Sequence, residues 1–72
     1  MAAAFTHSEG VVHWDGQSID PPQAIALAAE LKDFADAAFF AADFPAFERA
    51  VDTRDELIAA IQAANRWAAA TA

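Results

Sequence analysis

The chain has 72 residues, a net charge of −7, no cysteine and 22 alanines. This length suits a single domain over residues 1–72. Because alanine buries little area, we expect a thin core that gains stability by association. The acidic balance excludes a protein that binds nucleic acid through phosphate contacts, and the lack of cysteine excludes disulfides and thiolate metal sites. No run of roughly 18 apolar residues occurs, and the start of the chain lacks a basic segment followed by an apolar run. We therefore expect a cytoplasmic protein without a membrane segment.

Residues 4–19 have the pattern of a small antiparallel sheet. The segment 11–14 is rich in strand formers, and Asp15-Gly16 is typical of a two-residue type I′ hairpin turn. A second turn at Glu9-Gly10 would add a further strand and give a three-stranded meander, with residues 1–4 frayed. The two turns together place one set of apolar side chains on a common face: Phe5, Val12, Trp14 and Ile19.

The longest periodic segment predicts a helix over residues 21–42. Asp20 and Gln23 have capping-box spacing, and Pro21 suits the first helical position. At about 100° per residue, one side collects the apolar residues expected to form the core: Leu27, Leu31, Phe34, Ala35, Ala38 and Ala42. The opposite side carries Asp33 and Asp36. This helix is the element against which the rest of the chain is expected to pack.

The remaining third of the chain predicts a short helical turn at 45–51 and a second main helix at 53–70. Thr53 and Glu56 form a Thr-x-x-Glu capping box just before an apolar run, which favours a fresh helix start at Thr53. The alternative is one continuous helix from Pro45, because no glycine or proline separates the two pieces. Either version gives an α+β fold in which the sheet packs on a helical hairpin.

No motif in the sequence indicates catalysis or a cofactor. His13 and Asp15 form an H-x-D pair, but the strand register places His7 on the opposite face from His13, so three convergent metal ligands are lacking. The only glycines are Gly10 and Gly16, which rules out a glycine loop for phosphate. We therefore predict a protein that is not an enzyme and needs no cofactor or metal.

The aromatic residues give the one indication of a binding surface. Phe40 projects from the predicted helix on the side of Asp33 and Asp36, and Ile25 points toward the same side. An apolar patch with an acidic rim is typical of an interaction surface, so these four residues are the predicted partner-binding site. The alternative is that residues 45–51 fold back and cover Phe40.

Composition and patterning together favour a small acidic protein–protein interaction module. We expect a homodimer or a dedicated protein partner, a class that includes inhibitors and accessory proteins of mobile elements. The first alternative is an acidic mimic of nucleic acid that occupies a basic DNA- or RNA-binding protein. The second alternative is a metal-dependent enzyme. No membrane association and no direct binding to nucleic acid are expected.

Overall fold

A computed structural model describes residues 4–71 of the chain. Three short strands, β1 (Phe5–Ser8), β2 (Val11–Trp14) and β3 (Gln17–Ile19), precede the helices α1 (Pro21–Phe40) and α2 (Phe44–Thr71). The strands form one antiparallel sheet in the order β1-β2-β3. The α+β fold and the three-stranded meander predicted from the sequence are confirmed.

The strand register follows from two tight turns. Glu9 and Gly10 have φ of 52° and 81°, and Asp15 and Gly16 have φ of 52° and 83°. Positive φ at both central residues defines a type I′ turn, whose twist matches that of the flanking strands. The predicted pairs are therefore observed, with Phe5 opposite Trp14 and Val12 opposite Ile19.

The predicted fraying of residues 1–4 falls mainly on positions outside the described residues. Ala4 is described, and its carbonyl oxygen accepts a hydrogen bond of 3.1 Å from the amide of Asp15. That bond extends the β1–β2 pairing by one position beyond Phe5.

Helix α1 begins as the capping pattern predicts. The amide of Asp20 donates to the Gln23 side-chain oxygen at 3.2 Å, and the Asp20 carbonyl accepts from the amide of Ala24 at 2.9 Å. Pro21 occupies the first helical position, where no backbone donor is required. The helix ends at Phe40, two residues before the predicted end at Ala42.

The separation into a turn at 45–51 and a helix at 53–70 is wrong, because α2 is one continuous helix from Phe44 to Thr71. Its start is fixed by Asp43, whose carboxylate accepts a hydrogen bond of 3.3 Å from the amide of Ala46. The Thr53 hydroxyl makes no cap. It donates instead to the carbonyl of Arg49 at 2.8 Å, within the helix.

The core lies between the sheet, the first half of α1 and the middle of α2. Leu57 is fully buried, and the other core residues are Phe5, Val12, Ala24, Ala60 and Ala64. Leu27 and Leu31 are half-buried against this cluster. The Glu56 carboxylate ties the sheet to α2 by accepting the Phe5 amide at 2.7 Å.

Two residues of the predicted apolar face of α1 are not in the core. Phe34 is 59% exposed, and Ala42 lies beyond the helix and is exposed. The α1 residues that line cavities together with the sheet lie between Pro21 and Glu30, in the first half of the helix, and Phe34 lies beyond them. Beyond Leu31 the buried residues of the hairpin, within the described part of the chain, are all alanines: Ala35, Ala38, Ala46 and Ala50.

Candidate protein-binding surface

Four phenylalanines gather where the chain reverses between α1 and α2. The ring of Phe39 is central, with centroid distances of 6.2 Å to Phe40, 6.1 Å to Phe44 and 5.5 Å to Phe47. We call these four residues the aromatic end. Phe40 is 88% exposed, while Phe39 and Phe44 are 54% and 52% exposed. The rings pack on one another, yet they leave a large apolar surface in contact with water.

The chain reversal that gathers these rings is a Schellman motif. The amide of Asp43 donates to the Ala38 carbonyl at 2.9 Å, and the amide of Ala42 donates to the Phe39 carbonyl at 3.0 Å. Ala42 has a φ of 58°, the left-handed conformation that this motif requires. Asp43 then caps α2 at once, so that only Ala41 to Asp43 separate the two helices.

The structure brings three of the four predicted partner-binding residues together. Asp36 and Asp33 precede Phe40 by four and seven residues on α1, which places them on the same side within two turns. Ile25 is 63% exposed and on that side as well, but it lies fifteen residues from Phe40, about 22 Å along the helix. Ile25 is therefore not part of the same patch within one chain.

The alternative in which residues 45–51 cover Phe40 is wrong. Phe47, from that segment, packs against Phe39 instead, and Phe40 stays almost fully exposed. Asp36 forms an ion pair of 3.1 Å with Lys32, and both side chains are more than half exposed. Such an exposed pair contributes little to stability.

The hairpin has two broad faces, and the sheet covers only one of them. On α2, the sheet contacts Glu56 and the flank of Trp67, against which Gly10 packs. Roughly half a turn around the helix lie residues that do not reach the sheet. We call this side of the hairpin the sheet-free face. On α1 it carries Ile25, Lys32, Asp33 and Asp36. On α2 it carries Phe44, Phe47, Val51, Arg54 and Ile58, all half-buried except Phe44, which is exposed.

A cavity of about 300 Å³ lies where β2, β3 and the start of α1 meet α2. Its walls are mainly apolar, and its polar side chains, Ser18, Asp20 and Asn65, are exposed at the rim. Its only ionisable side chain is that of Asp20, so it offers no acid–base pair. Within residues 4–71, no three side chains of the histidine, aspartate or glutamate type come together as metal ligands.

The observed register keeps His7 and His13 on opposite faces of the sheet, because His7 pairs with Val12 and His13 pairs with Thr6. Neither helix in the described part of the chain is long and apolar enough to span a membrane. Comparisons with protein-family models, with curated proteins and with solved structures find no match to this chain.

Proposed function

We propose that this chain is a small non-catalytic protein–protein interaction module that binds through its aromatic end and forms a homodimer. The observation that carries the proposal is the exposure of Phe40, at 88%, beside the half-exposed rings of Phe39 and Phe44. Single exposed apolar residues are common on protein surfaces, but a contiguous aromatic cluster is typical of an interface.

The size of the exposed surface supports this proposal. With about 200 Å² per phenylalanine side chain, Phe39, Phe40 and Phe44 together expose roughly 400 Å² of ring. The largest apolar patch on a monomeric protein is about 300–600 Å², and such patches are often functional. Within residues 4–71, Leu57 is the only large side chain that is fully buried, whereas these three rings stay at least half exposed.

The carboxylates near the aromatic end fit the polar rim of such an interface. Asp33 and Asp36 lie on the Phe40 side of α1, and Asp43 lies at the chain reversal. Rim charges contribute mainly to association rate and partner choice, whereas desolvated aromatic rings at the centre contribute most of the affinity. Phe40 is accordingly the residue whose loss should weaken binding most.

Phe40→Ala tests the proposal, with Phe34→Ala as a matched control. Both changes remove an exposed phenylalanine from α1, but Phe34 lies outside the aromatic end. By multi-angle light scattering over a concentration series, we expect Phe40→Ala to weaken dimerisation about 30-fold, equivalent to about 2 kcal/mol. Phe34→Ala should leave the dimer intact, and both variants should keep the helical circular dichroism spectrum.

Equal dimerisation of wild type and Phe40→Ala would refute the aromatic end as the self-association surface. A wild-type chain that stays monomeric would refute the homodimer. The interaction proposal would then depend on capture of a host protein by wild type and its loss in Phe40→Ala. A wild-type chain with neither activity would refute the proposal as a whole.

The acidic mimic of nucleic acid is a second candidate, favoured by a row of carboxylates on α2. Glu48, Asp52 and Asp55 are exposed and fall on one side of the helix, and within residues 4–71 the single ion pair involves none of them. Salt separates the two candidates. Binding by a carboxylate row should collapse between low and moderate ionic strength, while binding by the aromatic end should change little.

A further inference from the structure

We propose that the second copy packs on the sheet-free face in an antiparallel orientation, so that the aromatic end of each copy covers the Ile25–Ile58 region of the other. This inference rests on the proposed homodimer and adds its location and direction. It brings together the two predicted partner-binding residues that one chain keeps apart, because Ile25 and Phe40 lie about 22 Å from each other on α1.

The spacing on α2 indicates a helix-packing seam. The positions of the sheet-free face alternate by three and four residues: Phe44, Phe47, Val51, Arg54 and Ile58. This is the pattern by which one helix packs lengthwise on another. The buried contacts of α2 with α1 and the sheet use a different set of positions: Ala46, Ala50, Leu57, Ala60 and Ala64. Helix α2 therefore has a second seam that is only partly covered within residues 4–71: Phe44 and Phe47 contact Phe39 of α1, and none of its five residues is fully buried.

The exposed area is close to what a stable dimer needs. In a symmetric pair, the rings of Phe39, Phe40 and Phe44 from both copies supply roughly 800 Å². Specific interfaces bury at least about 1,200 Å² in total. Ile25, which is 63% exposed, and the half-buried Val51 and Ile58 lie on the same face and add to the area.

The charges on this face suit a second copy, because both signs are present and can pair across a twofold axis. Despite the net charge of −7, the helical positions place Lys32 and Arg54 on the sheet-free face beside Asp33 and Asp36, so the two signs balance there. The Nε atom of Arg54 is buried and has no hydrogen-bond acceptor within residues 4–71. Arg54 as a whole is only half-buried, and a second copy of this acidic chain can bring a carboxylate to the part of its side chain that solvent reaches.

Charge also selects the antiparallel direction. Lys32 and Arg54 lie ten and twelve residues from the chain reversal at Ala42, and therefore at about the same height on the hairpin. A parallel pair would bring Lys32 of one copy to the level of Arg54 in the other, which is repulsive. An antiparallel pair centred near Val51 brings Arg54 to the level of Asp36 in the other copy, which is attractive.

In this arrangement Val51 lies near the twofold axis and meets Val51 of the other copy. The chain has no cysteine, so a single introduced cysteine reports that contact without interference. Under mild oxidation, Val51→Cys should form a disulfide-linked dimer on a non-reducing gel, because the bond requires Cβ atoms within about 4.5 Å. Asp52→Cys is the control. The Asp52 side chain is exposed and points about 100° away from that of Val51, so the Asp52→Cys variant should stay unlinked.

A charge change gives an independent test. Arg54→Glu places a carboxylate on the sheet-free face and should weaken self-association at least about tenfold. Arg49→Glu makes the same change in net charge at an exposed position outside that face, and it should leave self-association unchanged. Circular dichroism of both variants confirms that each still folds before association is compared.

The outcomes separate this inference from the proposed function. If wild type dimerises and Phe40→Ala weakens the dimer, but Val51→Cys stays unlinked or links no better than Asp52→Cys, the docking arrangement is wrong and the interaction module stands. If Arg49→Glu weakens the dimer as much as Arg54→Glu, net charge explains the effect and the sheet-free face is not the contact. If wild type never dimerises, the second copy is the wrong occupant of this face.

Discussion

Ala42→Gly should make the protein more stable, although it removes a methyl group from an alanine-rich chain. Ala42 closes the Schellman motif at the end of α1 with a φ of 58°. For a residue with a Cβ atom, this left-handed conformation costs about 1–2 kcal/mol. Glycine adopts it without strain, but it loses about 0.5–1 kcal/mol more conformational entropy on folding. The net gain in the free energy of unfolding should be about 0.5–1 kcal/mol.

The measurement is thermal unfolding followed by circular dichroism at 222 nm. For a domain of this size, the expected gain raises the melting temperature by roughly 2–8 °C. Protein concentration must be the same for all variants, because self-association would add to the apparent stability. Ala37→Gly is the control, since it makes the same chemical change inside α1, where glycine costs about 1 kcal/mol. If Ala42→Gly melts at or below wild type, the left-handed turn at residue 42 is not a source of strain.

Three further predictions concern the core, the turns and the corrected position of Phe34. Leu57→Ala should cost about 3–5 kcal/mol in urea unfolding, because Leu57 is fully buried; a cost below about 1 kcal/mol would contradict its central place in the core. Gly10→Ala should destabilise more than Gly16→Ala: both glycines have positive φ, but only at Gly10 would the new Cβ lie 2.9 Å from the Trp67 ring. Equal losses would show that Trp67 does not pack there. Phe34→Ala should change the free energy of unfolding by less than about 1 kcal/mol, since the Phe34 ring is 59% exposed. Unfolding of this variant would show that Phe34 belongs to the core after all.

The sheet could be predicted in detail because its information is local. A two-residue turn fixes the pairing of both flanking strands, and the strand period of two then assigns each side chain to a face. Asp15-Gly16 therefore determined the pairing of Val12 with Ile19, and Glu9-Gly10 determined that of Phe5 with Trp14. Both turns use positive φ at their central residues, as the prediction required.

The extent of α2 could not be decided from capping signals alone. Asp43 and Thr53 both have the side-chain chemistry of a helix cap, but a cap forms only where the preceding residues leave the helical conformation. Residues 46–71 contain neither glycine nor proline, so nothing stops the helix before Thr53. The Thr53 hydroxyl then bonds to the carbonyl of Arg49, a common position for threonine inside a helix.

Whether Phe34 is buried depends on how far the sheet extends over α1, and no local sequence pattern carries that information. A strand of three or four residues spans about 10–13 Å, whereas the twenty residues of α1 span about 30 Å. One apolar stripe on α1 is therefore covered at Leu27 and uncovered at Phe34. The side of α1 on which Phe40 lies follows from the helical period, but the sequence left open whether residues 45–51 cover it, and the structure shows it 88% exposed. The clustering of Phe44 and Phe47 around Phe39 could not be predicted without knowing the geometry of the turn between the helices.

In the outer half of the hairpin the buried positions are all alanine, and this has a consequence for local opening. Ala35, Ala38, Ala46 and Ala50 bury few atoms each, while the inner half has Leu57, Phe5 and Val12. Regions with few buried apolar contacts open at a lower free energy than the global unfolding reaction. Amide hydrogens of residues 35–50 should therefore exchange with deuterium through partial opening, faster than those of residues 57–64. Binding to the aromatic end would slow that exchange, because a bound partner would hold the two helix ends together.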